Sequence, residues 1–498
     1  MLEPIKTVTD WQRGVGQVKM IINGESVEAA SGKWLSVENP AHKGTNAGQV
    51  PKGGAAEVDL AVKAAAVAFP EWRNTPARER GKALLKIADA IENCKEEFAR
   101  LYSLETGNPI ALQSRNETMQ TADIFRYFGG VASEIKGEVL PLGENLFSYS
   151  RREPLGVVGG IVPWNAPLAL GALKITMSIT AGNTLVLKPS VEAPLTIIKL
   201  VELCQHFLPK GVLNIVTGSG SECGEALIHH PMIAKLTFTG STEVGRNIMR
   251  AATERIIPVS LELGGKAPQI VFADANDDTT VANVINGMRI IRQGQSCTAG
   301  ARVYLHESIF DSFLEKLVAK LRAFKIGEPL EDATQIGAIV NENQYNTVLS
   351  YIAEGLEQPG AKAVCGGMPP QKAPFTEGYF VEPTVFVGVQ NNWRIVREEI
   401  FGPVLVVIPW KDEAEVIRLA NDSHYGLAAF IYTHNISKAL NTAHQIESGF
   451  VQVNQGGGIV PGNSYGGFKQ SGIGREWSLE GMLEGFTQRK SVTVNLGY

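Results

Sequence analysis

A cysteine near the middle of this 498-residue chain has neighbours that would suit a nucleophile. Cys297 stands in Gly294–Gly300 among small, polar and glycine residues, which favours an accessible thiol. An accessible thiol is a nucleophile when its thiolate is stabilised. The alternative is a buried structural cysteine, the interpretation that suits Cys204 in its apolar helix. This segment alone leaves both interpretations open.

A carboxylate at the end of a predicted strand is a candidate general base. Glu262 lies in Leu261–Gly265 between two leucines, where a charge is costly to bury. Partial burial raises the pKa of a carboxyl group and makes it a better base near neutral pH. The alternative is a salt bridge of Glu262 in the core.

An asparagine follows the first predicted strand of the same region. Asn165, in Pro163–Pro167, could donate its side-chain amide to a developing oxyanion. The alternative is a helix cap ahead of a proline at the first helical position.

Two glycine-containing turns could hold a dinucleotide. Gly218–Gly224 nearly matches the GxGxxG pattern, but its last glycine comes one residue late. Thr239–Gly245 follows a strand and opens a helix, which is the context that a phosphate site needs. Neither turn identifies such a site alone.

Alternating elements are predicted to position these residues. A helical region over 57–128 precedes apolar strands that alternate with helices, and this alternation predicts a parallel sheet with both faces covered. Ligands bind beyond the carboxyl ends of such strands. A second alternating block, with strands at 303–306 and 404–409, predicts another α/β unit. The strands predicted for the first block are 156–162, 184–187, 213–216, 235–238 and 259–263.

Two polar, strand-like segments lie apart from both predicted cores. Residues 132–152 and 490–497 could pair with each other or with a partner subunit.

Composition narrows the classes of partner. The net charge of -5 argues against nucleic acid, which normally binds a basic patch. Residues 1–20 have no apolar core of the signal-peptide type. The uncharged segment 154–173 contains Pro163 and Pro167, so a strand, turn and helix fit it better than a membrane span.

Cysteine and histidine usage bears on compartment and metal binding. Five cysteines without a CxxC pair indicate free thiols in a reducing compartment, so we expect a cytoplasmic protein. His229 and His230 adjoin each other but lie near no other ligand at zinc spacing, so we expect no metal site.

The motifs together resemble the aldehyde dehydrogenase superfamily, in its NAD(P)-dependent, non-acylating branch. The resemblance extends from about Ile22 to Val494. It is carried, in order along the chain, by Pro163–Asn165, Leu187–Ser190, Phe238–Thr242, Leu261–Gly265, Gly294–Cys297, Glu398–Pro403 and Gly466–Gly472.

The resemblance implies an α/β fold with two doubly wound open-sheet domains and a small β oligomerisation element. The dinucleotide-binding domain would span 1–131 and 153–263, the catalytic domain 264–474, and the oligomerisation element 132–152 with 475–498. A homodimer or homotetramer would follow.

The resemblance also assigns roles to residues. Cys297 matches the nucleophile, Glu262 the base that activates water, Asn165 the oxyanion donor, and Lys174 a lysine that helps proton transfer. Lys188 and Glu399 match residues that hold the two riboses of NAD or NADP. The whole set of expected cofactor residues is Val162, Pro163, Trp164, Lys188, Ser190, Val191, Gly220, Gly224, Phe238, Thr239, Gly240, Ser241, Val244, Leu263, Gly264, Glu399 and Phe401.

Two departures from the family pattern bear on cofactor and substrate. Val191 stands where NAD-preferring members usually carry a glutamate, which suggests NADP as well as or instead of NAD, although the adjacent Glu192 leaves this open. Ala166 and Leu173 stand where specialists for small aldehydes often have aromatic residues, which predicts a roomy apolar tunnel for a bulky, apolar or aromatic aldehyde. The expected tunnel residues are Ala166, Leu170, Leu173, Ser296, Thr298, Gly457, Ile459 and Tyr465.

Arg292 occupies a position where asparagine is common. It predicts either a structural ion pair or a contact to an anionic group of the substrate.

Three other functions remain as alternatives. A coenzyme A-acylating dehydrogenase would generally lack the base that Glu262 supplies. A non-catalytic structural protein on this scaffold would not need Cys297, Glu262 and Asn165 intact. A thiol hydrolase needs a histidine near the cysteine, and none of the eight histidines stands in an evident motif.

Overall fold

Twenty-two strands form the sheets of the computed structural model, which describes residues 14–497. The first 13 residues and Tyr498, which belong to two of the predicted domains, lie outside the described residues. The strands are β1 (Met20–Ile22), β2 (Glu25–Val27), β3 (Trp34–Glu38), β4 (Asn46–Pro51), β5 (Val139–Pro141), β6 (Leu146–Pro154), β7 (Val157–Val162), β8 (Thr184–Pro189), β9 (Leu213–Ile215), β10 (Ile233–Thr239), β11 (Val259–Glu262), β12 (Pro268–Val271), β13 (Arg302–His306), β14 (Lys362–Cys365), β15 (Thr384–Val387), β16 (Val404–Trp410), β17 (Tyr425–Gly426), β18 (Ala428–Tyr432), β19 (Phe450–Val453), β20 (Phe468–Lys469), β21 (Gly472–Ile473) and β22 (Thr487–Asn495).

Fifteen α-helices connect and cover these strands within the same residues. They are α1 (Ala55–Asn74), α2 (Ala77–Asn93), α3 (Lys95–Thr106), α4 (Arg115–Gly130), α5 (Pro167–Thr180), α6 (Leu195–Cys204), α7 (Glu225–His229), α8 (Thr242–Thr253), α9 (Asp278–Gly287), α10 (Phe310–Arg322), α11 (Glu342–Glu357), α12 (Arg394–Arg397), α13 (Glu413–Asn421), α14 (Ile436–Gln445) and α15 (Leu479–Phe486). Two π-helical turns (Ile110–Ser114 and Gly220–Gly224) and three 3-10 turns (Ala132–Glu134, Ile290–Arg292 and Glu307–Ile309) complete the helical elements.

The first predicted sheet is confirmed and has eight strands in the order β2-β1-β9-β8-β7-β10-β11-β21. Its five central strands run parallel. Alternate residues of β8 enter separate cores: Leu185 and Leu187 join the cluster that includes α5, and Val186 joins the cluster that includes α1. A parallel strand buried on both faces needs an unbroken apolar run, which explains the Thr-Leu-Val-Leu sequence of β8.

The second predicted sheet has seven strands in the order β14-β15-β16-β13-β12-β18-β19. Only β14 runs antiparallel to its neighbour. The described structure is therefore an α/β fold with two doubly wound sheets.

The two strand-like segments pair with each other. β22 runs antiparallel to β6 from Thr487↔Pro154 to Asn495↔Leu146, and β5 adds a third strand. The strand β6 extends to Pro154, beyond the predicted limit at 152, while residues 479–486 form α15 instead of more strand.

One short strand crosses the predicted boundary between the two large domains. β21 falls within the predicted catalytic segment 264–474, yet it pairs with β11 of the first sheet. The Leu263 N–H also donates to the Ser471 carbonyl at 2.8 Å, so the segment after the second sheet returns to the first.

Candidate active site

One cavity of about 610 Å³ lies where the first sheet, α4, α5 and the Cys297 segment meet. Cys297, Glu262 and Asn165, predicted from three separate motifs, all line it. The carboxyl ends of β7 and β11 supply Asn165 and Glu262, as expected for a ligand site in a parallel sheet.

A tight backbone turn presents Cys297 to the cavity. Gln293 and Gly294 both have positive φ angles, of 53° and 65°. A β-carbon at Gly294 would lie 2.1 Å from the Gly402 carbonyl oxygen, so only glycine fits this position. Sequence reasoning recognised the glycine, and the structure supplies the reason for it.

The Cys297 thiol is partly buried and protonated at rest. Burial, with Glu399 and Glu262 nearby, raises its pKa to about 11, while the Tyr465 hydroxyl and Arg292 act in the opposite direction. The Tyr465 Oη lies 3.9 Å from Sγ. Within residues 14–497 no protein group accepts the Cys297 backbone N–H, so that donor is available to an oxyanion.

Glu262 is buried without a partner. Neither carboxylate oxygen has a hydrogen-bond partner within the described chain, so the predicted alternative of a core salt bridge is wrong. Burial, and then the nearby Glu476, raise its pKa well above the ordinary value. A carboxyl group in this state is suited to accept a proton near neutral pH.

Asn165 is not the cap of α5. The residue at the cap position is Ala166, and the Asn165 Nδ2 instead donates to the Gln295 carbonyl at 3.1 Å. The amide therefore points at the segment that carries Cys297. The predicted alternative of a helix cap is wrong, because the Asn165 side chain bonds to the segment before Cys297 and not to the backbone of α5.

Lys174 lies behind Glu262 and has a partner that the sequence did not reveal. Its Nζ donates to Glu476 Oε1 at 2.5 Å, and both side chains have 0% exposure. Glu476 also accepts from the Thr237 hydroxyl at 3.2 Å and lines the cavity. A buried lysine implies a carboxylate partner, but its position 302 residues away could not be read from the chain.

Most of the predicted tunnel residues line the cavity. Leu173 is the exception: it is completely buried in the core of α5 and does not reach the cavity. The lining residues that were predicted are Ala166, Leu170, Ser296, Thr298, Gly457, Ile459 and Tyr465. Leu112, Met119, Arg289 and Trp477 line it as well and were not predicted.

The expected cofactor residues cluster at the carboxyl ends of the first sheet. Lys188 is the last residue but one of β8 and donates through Nζ to the Pro189 carbonyl at 3.0 Å. Val162 ends β7, and Thr239 ends β10 with its buried hydroxyl unpartnered in the described structure. Ser241 caps α8 by accepting from the Val244 N–H, which leaves the amino end of that helix next to the strand ends.

Other expected cofactor residues lie on the segment after β11 and on the segment between α12 and β16. Glu399 accepts from the Gly265 N–H at 2.9 Å, and burial raises its pKa to about 7. A β-carbon at Gly264 would lie 2.3 Å from the Glu399 carboxylate. The rings of Trp164 and Phe401 meet edge to face at 5.1 Å. An unpartnered hydroxyl, a helix amino end and a close-packed glycine are features that fit a dinucleotide.

A sequence model described as the aldehyde dehydrogenase family matches residues 26–492. This chain belongs to the aldehyde dehydrogenase family. Its family relatives include an aldehyde dehydrogenase of Enchytraeus buchholzi, which is 42% identical over 99% of this chain and 97% of the relative. A hydroxyisobutyraldehyde dehydrogenase of Mycolicibacterium austroafricanum is 41% identical, over 96% of this chain and 94% of that protein.

Solved aldehyde dehydrogenase structures share the whole fold. The NAD+ complex of the aldehyde dehydrogenase from Bacillus cereus superposes with a TM-score of 0.94 and 38% identity, covering 99% of both chains. The predicted family and fold class are thereby confirmed.

Across the described part of the chain, no helix is both long enough and apolar enough to cross a membrane. No group of three or more His, Cys, Asp or Glu side chains in residues 14–497 could hold a metal ion.

Proposed function

We propose that this protein oxidises an aldehyde to a carboxylic acid with NAD or NADP, through a covalent intermediate on Cys297. The observation that carries the proposal is the meeting of Cys297, Asn165 and the unpartnered Glu262 in one cavity. A thiol, an amide donor and a buried base are the groups that this reaction needs.

The first step is attack by the Cys297 thiolate on the aldehyde carbon. The carbonyl oxygen becomes an oxyanion, which accepts from the Asn165 amide and the free Cys297 N–H. These donors are held in place before reaction, so they stabilise the charge as it forms. Because the pKa of the thiol is raised to about 11, the attacking thiolate is a minor form that has lost its proton to solvent, and the Arg292 charge and the Tyr465 hydroxyl favour it.

The second half of the reaction releases the acid. A nicotinamide held beside Phe401 would supply the hydride acceptor, and loss of hydride from the tetrahedral carbon would leave a thioester on Cys297. Glu262 then takes a proton from water, which attacks the thioester and frees the carboxylic acid. Lys174 and Glu476, paired behind Glu262, provide ionisable groups through which that proton can move on.

The side chains near Lys188 favour NAD over NADP. Val191 cannot accept a hydrogen bond, but the Glu192 carboxylate accepts from the Ser190 hydroxyl and lies close enough to influence the pKa of Lys188. A carboxylate there can accept ribose hydroxyls and repels a 2′-phosphate. The Bacillus cereus relative was solved with NAD+, which supports NAD as a cofactor.

The cavity supports a bulky aldehyde with a largely apolar body. Ala166, Leu170, Ile459 and the unpredicted Leu112 and Met119 contribute apolar walls. A volume of about 610 Å³ is far more than a two-carbon aldehyde fills.

The three-stranded sheet supports assembly into a homodimer or homotetramer. Exposed apolar side chains concentrate on its strands and flanking residues, where they would be costly in a monomer. They are Val139, Leu140, Leu142, Leu146, Phe147, Val494 and Leu496.

The deciding experiment follows the absorbance of reduced nicotinamide with NAD or NADP and a panel of aliphatic and aromatic aldehydes. We expect turnover that is lost in Cys297→Ala and kept in Cys94→Ala, whose thiol lies between α2 and α3 outside the cavity. Activity that survives in Cys297→Ala would refute the covalent mechanism. Reduction that requires added coenzyme A would instead identify an acylating dehydrogenase.

A further inference from the structure

Arg292 lies on the cavity wall with most of its hydrogen-bonding capacity unused. It lies at the end of the 3-10 turn before Cys297 and lines the cavity. A guanidinium has five N–H donors. Within residues 14–497 its side chain makes one hydrogen bond, from Nη2 to Glu117 Oε2 at 2.8 Å. The predicted structural ion pair is therefore confirmed, but it uses only the Nη2 atom of the guanidinium.

Glu117, by contrast, is fully engaged. Its Oε2 also accepts from the Tyr102 hydroxyl at 2.7 Å and from Gln113 Nε2 at 3.1 Å, and its Oε1 accepts from the Ala169 N–H at 3.3 Å. Its side chain has 0% exposure, against 18% for Arg292. Both residues line the cavity, but the Glu117 carboxylate is already fully hydrogen-bonded, so Arg292 is the member of the pair with donors left for a ligand.

The neighbouring Arg289, by contrast, uses all three nitrogens of its guanidinium in hydrogen bonds to the protein. Its Nη1 and Nη2 donate to the carbonyls of Gly456 and Gly457 at 2.8 and 2.6 Å, and its Nε donates to Thr298 Oγ1 at 3.2 Å. Arg289 therefore holds two walls of the cavity together. Among residues 14–497 the Arg292 side chain bonds only to Glu117.

The ion pair keeps Arg292 charged. Burial is the largest single influence and acts to lower the pKa of its guanidinium, but Glu117, Tyr102 and Cys297 together hold that pKa above its ordinary value. The Arg292 side chain is 18% exposed and lines the same cavity as Cys297, so its remaining N–H donors can reach a ligand there. A hydrogen bond from a charged donor is stronger than one between neutral groups.

We propose that Arg292 is a specificity-determining residue that donates hydrogen bonds to an oxygen substituent on the aldehyde. This inference rests on the proposed function and narrows its substrate to a bulky, largely apolar aldehyde that carries an oxygen acceptor, such as a hydroxyl, alkoxy or carboxylate group. Because Glu117 already balances the positive charge of Arg292, the substituent need not be an anion to accept these hydrogen bonds. A carboxylate can accept them in the same way.

The test compares kcat/KM for matched aldehydes in the wild-type protein. Benzaldehyde is compared with its hydroxy, methoxy and carboxy derivatives at each ring position. Hydrogen bonds to charged groups give about a 10- to 100-fold preference for an oxygenated isomer. Preference for hydroxy and methoxy forms identifies a neutral acceptor, and preference for carboxy forms alone identifies an anion. Equal kcat/KM for all of them overturns the inference while leaving the proposed function standing, whereas no reduction with any aldehyde refutes both.

The variant that isolates Arg292 is the double substitution Arg292→Met with Glu117→Met, which leaves no buried charge alone. We expect the preference for the oxygenated aldehyde to collapse toward unity. Arg126→Met is the control, because Arg126 pairs with Glu92 on the outer side of α4 and does not line the cavity. A preference that survives in the double variant contradicts the inference.

A binding measurement covers the case in which the double variant does not fold. Calorimetry on Cys297→Ala compares benzoate with the derivative that corresponds to the preferred aldehyde. We expect the oxygenated acid to bind at least several-fold more tightly. Equal affinity would argue against Arg292 as the recognising group.

Discussion

Lys174 and Glu476 form an ion pair 2.5 Å long in which neither side chain has any exposed surface. The pair lies behind Glu262, the unpartnered carboxylate of the cavity, and Glu476 contributes to the raised pKa of that group. Two charges taken fully out of water stabilise a protein little in themselves, but either one left alone is strongly unfavourable.

The first prediction concerns the stability of this pair. Lys174→Met should lower the free energy of unfolding by about 3–5 kcal/mol, because it leaves the Glu476 carboxylate buried and uncompensated. The double variant Lys174→Met with Glu476→Met should recover most of that loss. Urea unfolding of the three proteins measures the difference. A single variant as stable as the wild type would mean that Glu476 is protonated and neutral.

The second prediction separates the two halves of the reaction. Glu262→Gln removes the base for water attack, so we expect one burst of reduced nicotinamide followed by slow turnover. Mass spectrometry of the quenched protein should show the acyl group on Cys297. Full steady-state turnover in this variant would exclude Glu262 as the base for deacylation.

The third prediction concerns the oxyanion. Asn165→Ala should reduce kcat by about 10²–10³-fold with a much smaller change in KM, because its amide acts on charge that develops only during reaction. Asn343→Ala, exposed on α11, is the control and should be unchanged. A large rise in KM with normal kcat would place Asn165 in ground-state binding instead.

The fourth prediction concerns cofactor choice. Glu192→Gln removes the negative charge near Lys188, so the affinity for NADP should rise relative to NAD by about 5- to 10-fold. Fluorescence titration of both dinucleotides into the Cys297→Ala protein measures binding without turnover. Glu357→Gln, a remote exposed charge at the end of α11, controls for the change in net charge. An unchanged ratio would show that Glu192 does not face the ribose.

The fifth prediction uses a buried lysine outside the cavity. Burial lowers the pKa of Lys235 from 10.5 to about 7, with its Nζ 2.8 Å from Ser260 Oγ and 4.7 Å from the centre of the Phe486 ring. Between these two pH values the unfolded chain holds a proton that the folded chain has lost. The contribution of this group to stability must therefore rise with pH across that window.

Lys235→Met should remove that dependence. Relative to the wild type, the variant should be most stable at neutral pH and should lose its advantage by up to about 1.4 kcal/mol for each pH unit above 7. Urea unfolding at several pH values measures the difference, with Lys362→Met, an exposed lysine of β14, as the control. A pH-independent difference would show that Lys235 stays charged in the folded protein.

The sequence was most informative where local pattern decides the structure. The apolar runs of β7 and β8 predicted the sheet correctly, because burial on both faces restricts the residue types allowed. The pairing of β6 with β22 was one of two options, and only the fold could choose between them.

Long-range partners were the information that the sequence lacked. Leu173 was placed in the tunnel by its position along α5, but the cavity ends before that turn and the side chain enters the core. Arg292 was recognised as unusual without its partner, because Glu117 lies 175 residues away on α4. Glu476 was missed for the same reason.

The strand β21 has a consequence for synthesis of the protein. The strand that carries Glu262 is bordered by residues 472–473, which leave the ribosome more than 200 residues later. The first sheet can form its parallel centre during translation, but its far edge stays open until residues 472–473 have been made. A nascent chain therefore carries Cys297 and Glu262 before the edge strand beside Glu262 exists, and the reactive pocket is enclosed only after that strand has been added.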